Sequence, residues 1–211
     1  MTSPAATAHP RRSDARRNRE LLVAAAGRVF ATQGTGAPLD AVAREAGVGN
    51  ATMYRNFPTR EAMLEAVLAD RYQTLAARAE DLSGATPPEA ALAAWLSEFV
   101  AYTQTFHGLP EPVMATLRDR DSALYASCKT MRTAAARLLT RAQRAGTIRA
   151  DIDATDLFTH AAGIAWATQR APHDPHRTQR LLTVMTDGLR TPASMQDKLC
   201  PRETQPGDRG D

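Results

Sequence analysis

Between Leu39 and Phe57 the chain gathers side chains that can read a nucleic acid: Asn50, Thr52, Tyr54 and Arg55, with the small Ala51 among them. Helical spacing sorts this run into two faces. Val42, Val48, Met53 and Phe57 form an apolar cluster, and with Met53 turned inward at about 100° per residue, Phe57 falls beside it. Ala51, Thr52, Tyr54 and Arg55 then lie on the outward arc. A guanidinium such as that of Arg55 offers paired donors to guanine O6 and N7. Asn50, at the helix start, can reach an adenine edge or a phosphate. The hydroxyls of Thr52 and Tyr54 suit phosphate oxygens, and Ala51 leaves room for close approach or a thymine methyl.

Such an arc needs two short helices crossing at a steep angle. The crossing point must be small and the turn must tolerate unusual backbone angles; Ala43 supplies the first and Gly47, four residues on, the second. The spacing predicts a helix over 39–46, a break at Gly47-Val48-Gly49, and a second helix over 50–57 closed by Pro58. A bare αα corner has the same spacing. Charge separates the two readings. Residues 1–60 carry nine arginines against four acids, a net +5, while the remaining residues sum to −2. A basic third on a slightly acidic body points to a polyanionic partner for that third, although a solvated basic tail has the same composition.

Helical period dominates elsewhere, and strand patterns are almost absent. The first helix is expected over 14–32, with Leu21, Leu22, Ala25, Val29 and Phe30 as its stripe. Thr59 can cap a helix over 60–82, and Thr86-Pro87-Pro88-Glu89 reads as a capping box opening a helix to Phe106. Further helices are expected over 111–118, 122–145 with Gly146 as its stop, 154–170 capped by Asp153, and 176–189. The expected fold is all-α, about nine helices. Residues 1–13 read as a disordered basic arm, 14–60 as a helix-turn-helix domain, 61–190 as a helical body and 191–211 as a disordered polar tail.

The run from Leu39 to Leu64 resembles the DNA-binding signature of the tetracycline-repressor (TetR) family. Val42-Ala43, Ala46-Gly47-Val48, Met53-Tyr54, Asn56-Phe57 and Arg60-Glu61 match its pattern, and the alanines, Val29, Phe30 and Gly34 of residues 25–34 resemble its first helix. Two positions depart: Ala37-Pro38 stands where the family often has Thr or Ser, and Asn56 where His is commoner. The resemblance implies a transcriptional regulator, a repressor released from a palindromic operator by a small molecule. A ligand-independent activator, or a helical enzyme or scaffold without a DNA role, are the competing readings. Base reading is assigned to Asn50 and Arg55. Phosphate positioning is assigned to Thr52, Tyr54, Thr59 and Arg60, with Arg17, Ala51 and Asn56 completing the surface. The resemblance also implies a body that binds a ligand and dimerises through its last two helices. Side chains of pocket-like chemistry are Trp95, Phe99, Tyr102, Phe106, Met114, Leu117, Tyr125, Cys128 and Met131, with His107 as a polar group facing the ligand. The same residues could equally be plain core. Dimer stripes are expected at Leu157, Ala161, Ile164 and Ala165 on one helix. A second is expected at Leu181, Leu182, Val184, Met185 and Leu189 on the next.

Composition excludes several classes. At 211 residues, 43% hydrophobic and 23% charged, the chain has enough apolar material for a core. No run approaches the roughly 20 apolar residues of a membrane span, and no apolar leader precedes Arg11. Two cysteines, Cys128 and Cys200, carry no CxxC spacing, so a reducing cytoplasm is the expected compartment. GxSxG, HExxH, P-loop and GxGxxG motifs are all missing, so no enzyme, cofactor or metal is expected. His173 and His176 could be read as a metal pair, but a polar loop before a helix accounts for them. Cys128 reads as a small buried hydrophobe rather than a redox sensor.

Overall fold

The computed structural model describes residues 9–85, 87–106, 109–169, 174 and 176–191. Among them are nine helices and no strand: α1 (His9–Gln33), α2 (Leu39–Glu45), α3 (Asn50–Asn56), α4 (Arg60–Ala85), α5 (Pro88–Thr105), α6 (Glu111–Arg118), α7 (Ala123–Arg144), α8 (Ala154–Gln169) and α9 (Arg177–Leu189). α1 begins at His9, so part of the segment read as an arm is helical. Its buried stripe is Leu22, Ala25, Ala26, Val29 and Phe30, whereas Leu21, placed in that stripe by spacing, is 43% exposed.

α1, α2 and α3 form a small head, and α4 leads from it into a body in which α4 packs along α7 and α5 along α8. The stripe of α4, from Met63 and Leu64 through Val67, Leu68, Leu75, Ala79 and Leu82, is buried along its whole length. Local signals set most helix ends. The Thr59 hydroxyl accepts from Ala62 N at 3.1 Å, heading α4. Asp153 accepts from the backbone N–H groups of Thr155 and Asp156 at 2.6 and 2.9 Å, while its own N–H donates to the Asp156 carboxylate at 3.1 Å, a reciprocal box heading α8. α5 opens with Pro87 at its cap position and no side-chain cap bond; Thr86, the head of the expected box, lies outside the described residues.

The end of α9 is fastened to the turn after α7. Gly146 takes φ +71°, which lets the chain reverse so that Ile148 pairs with Arg190. Arg149 N donates to Leu189 O at 2.9 Å, and Thr191 N donates to Thr147 O at 3.1 Å. Thr191, read from the sequence as the first residue of a free tail, is buried; residues 192–211 lie outside the described residues. No described helix is long and apolar enough to cross a membrane.

Candidate DNA interface and ligand chamber

The turn between α2 and α3 is built on Gly47. Its φ of +68° lies where only glycine is unstrained. There Val48 N reaches Ala43 O at 3.0 Å and Gly47 N reaches Arg44 O at 3.2 Å, closing α2. Val42, Ala43, Met53 and Phe57 are fully or almost fully buried between the helices. That fixes the roll of α3, leaving Asn50, Ala51, Tyr54 and Arg55 exposed on one face, with Tyr54 48% exposed and Thr52 half-buried. Unbound, Arg55 folds along its own helix, donating to Ala51 O at 3.1 Å and to the Thr52 hydroxyl at 3.0 Å. These exposed bonds are cheap to exchange for a base edge. Arg17 is exposed on α1.

Two of the assigned side chains already have partners within the head. Arg60 acts as a latch. Its half-buried guanidinium donates to the carbonyl oxygens of Thr35 and Ala37 at 2.9 and 2.6 Å, tying the α1–α2 loop to the first turn of α4. Asn56 spends its side-chain amide on Thr52 O at 2.8 Å, finishing α3 from within. Thr59 accepts one bond as a cap and keeps its hydroxyl proton to give. Arg19, missed by the signature, lies 4.4 Å over the Phe57 ring and donates to Asn56 O at 3.4 Å. The only clue to it in the sequence is its place in the basic third.

In the body, α4, α5, α7 and α8 leave a cavity of about 480 Å³. Phe99, Tyr102, Phe106, Met114, Cys128 and Met131, all named from the sequence as pocket-like, line it. Trp95 does not. It is wholly buried behind the wall, donates from its indole to Leu75 O at 2.8 Å, and stacks on Phe99 at 5.5 Å. Leu117 and Tyr125 are half-buried off the wall, and His107 lies outside the described residues. Sequence reasoning missed Tyr72 on α4, Arg132 on α7 and Phe158 on α8. Phe158 meets Phe99 edge-to-face at 5.2 Å and Trp95 at 5.9 Å, pairs that each add about 0.5–1.5 kcal/mol beyond area burial. Burial pushes the phenols of Tyr72 and Tyr102 well above the ordinary tyrosine range. It pushes the Cys128 thiol up as well, so all three stay protonated near neutrality.

The dimer stripe on α8 also needs correction. Leu157, Ala161 and Ala165 are buried inside the protomer, as is Leu182 of α9, so they have no surface left for a partner. Ile164, Leu181, Met185 and Leu189 are half-buried. The exposed apolar residues on these helices are Trp166 at 61% and Val184 at 70%. His176, offered as half of a metal pair, sits in the turn before α9 with its backbone N–H on the Asp174 carboxylate at 3.0 Å, and His173 lies outside the described residues.

Residues 22–67 match the family model for bacterial regulatory proteins of the tetR family. Residues 87–191 match that for the C-terminal domain of SbtR-like transcriptional regulators. Among solved structures, the TetR transcriptional regulator SCO0520 from Streptomyces coelicolor is 38% identical, the match covering 83% of this chain and 99% of that one at a TM-score of 0.68. The chain belongs to the TetR family of transcriptional regulators.

A TetR transcription regulatory protein from Mycobacterium vanbaalenii is 31% identical over 86% of this chain and 100% of its own, at a TM-score of 0.60. RolR, solved with resorcinol, is 16% identical over 92% of this chain and 98% of its own at a TM-score of 0.56, and shares the fold alone. No curated protein matches the chain. Membership makes this a DNA-binding regulator and not an enzyme. Homodimers and response to small molecules are typical of TetR proteins.

Proposed function

We propose that this TetR-family chain is a repressor that holds a palindromic operator as a homodimer and lets go when a small molecule enters the chamber. The observation that carries this reading is the course of α4. Its first turn is pinned to the head by Arg60 and capped by Thr59. Leu68 and Tyr72, two to three turns further on, line the chamber. A continuous helix anchored beside α3 and exposed to the ligand turns a small displacement of the chamber wall into a movement of the recognition helix.

Seven residues of α3 cover only about 10 Å, enough for a few base pairs. Two copies in successive major grooves, roughly 34 Å apart, double the site and make it palindromic. The solvent face of α8 and α9 around Trp166 and Val184 is the surface proposed for that pairing. The test is a gel shift with a palindromic duplex from the chain's own promoter region, run across a salt series and with added effector. The expected result is a steep loss of affinity as salt rises and preference over a scrambled duplex. Equal affinity for both duplexes would overturn the reading.

A further inference from the structure

The chamber, taken as the effector site on the reading above, has a wall whose polarity is one-sided. Its body is flat and aromatic: Tyr72, Phe99, Phe106 and Phe158 face the space, and among the described residues no aspartate or glutamate lines it. Among the described residues Arg132 is the one charged group in the wall, its guanidinium 4.6 Å over the Phe158 ring. Arg132 makes no ion pair within 4.0 Å among the described residues. Asp153, the carboxylate that feels its charge, is already committed to the backbone N–H groups heading α8. Tyr102, which stands between this chamber and a neighbouring cavity lined by Asp70 and Arg71, is 6% exposed, and its hydroxyl has no hydrogen-bond partner among the described residues. Burial keeps that phenol protonated, so it is a donor, and leaving it unpaired costs about 1–3 kcal/mol.

An exposed guanidinium, a buried unpaired O–H and aromatic walls ask for an anion with a flat apolar body. We propose that the chamber binds a small aromatic carboxylic acid. Its ring lies among the aromatic side chains, its carboxylate meets Arg132, and an oxygen on the ring accepts from the Tyr102 hydroxyl. A cationic ligand would enter a wall holding nothing to neutralise it. A neutral phenol would leave the guanidinium unused, forgoing a charge-assisted bond.

The test is calorimetric titration of the full chain with benzoate, 4-hydroxybenzoate and 6-hydroxy-2-naphthoate. The matching primary amides and 4-hydroxybenzylamine serve as neutral and cationic counterparts. The acids should bind about tenfold or more tightly than their amides, and the amine should not bind. Arg132→Gln, at an exposed position, should keep the thermal midpoint of the parent chain and erase the acid–amide difference. Tyr102→Phe should weaken the hydroxylated acids about fivefold and leave benzoate unchanged. The inference is overturned if amides or the amine bind as well as the acids, if no acid binds at millimolar concentration, or if Arg132→Gln keeps the preference. A ligand-free operator shift run alongside reports the regulator reading separately. Acids that bind without releasing DNA would sink effector release while leaving the ligand class intact.

Discussion

The head and the body use their interiors in opposite ways. Between α2 and α3 of the head the apolar side chains are spent on filling: Met53, Phe57, Val42 and Ala43 are fully or almost fully buried, and the proposed DNA contacts sit outside, on the face of α3 that this core turns outward. In the body the aromatic groups stop short of filling, and the proposed ligand site is the 480 Å³ they leave. A surface that must meet a fixed groove needs one roll angle, which tight packing enforces. A site that must take in a molecule needs incomplete packing held open by a rigid backing, here Trp95 stacked behind Phe99.

Met53→Ala tests that contrast most severely. Removing a wholly buried side chain from a filled core should cost about 2–5 kcal/mol, read as a lowered urea midpoint. Met114→Ala, beside space that already exists, should cost less than about 1 kcal/mol. Equal losses would erase the distinction between a filled head and a hollow body. The pairing surface comes next. Trp166→Arg with Val184→Asp should give a folded monomer by sedimentation and weaken operator binding about a hundredfold, close to 2.7 kcal/mol. A dimer that survives would move the interface elsewhere.

Arg55→Ala should relax discrimination at one position of each half-site by about 1–3 kcal/mol in competition shifts. Tyr54→Phe should weaken all duplexes alike; a changed consensus would reverse these roles. The smallest effect is expected from Arg28→Ala. Its exposed ion pair with Glu45, at 2.8 Å, joins α1 to α2, and such pairs contribute about 0–1 kcal/mol. A larger loss in the urea midpoint would show that the head depends on its surface as well as its core.

What could be read ahead of the structure follows the same division. The α2–α3 turn was legible because a positive φ at Gly47 is a local demand, and the inward run from Val42 to Phe57 spans a few turns of chain. Arg60 was not, because its partners Thr35 and Ala37 lie more than twenty residues away and are backbone atoms, which carry no sequence signal. α8 was misread for another reason. Spacing found its apolar stripe, since Leu157, Ala161 and Ala165 are all buried, but a period does not say whether a stripe packs within the protomer or against a partner. Thus the stripe assigned to pairing turns into the protomer, and Phe158 escaped notice as part of the chamber wall.

The pairing of Ile148 with Arg190, flanked by the Arg149–Leu189 and Thr191–Thr147 bonds, closes α8 and α9 into a loop of chain with joined ends. A loop fastened at its base loses little further entropy when its interior orders. The two helices should therefore open together or not at all, with the amides of Arg149 and Thr191 exchanging with deuterium at one common rate. Cutting the chain after Gly188 would unfasten both helices at once, although neither α8 nor its contacts with α5 had been touched.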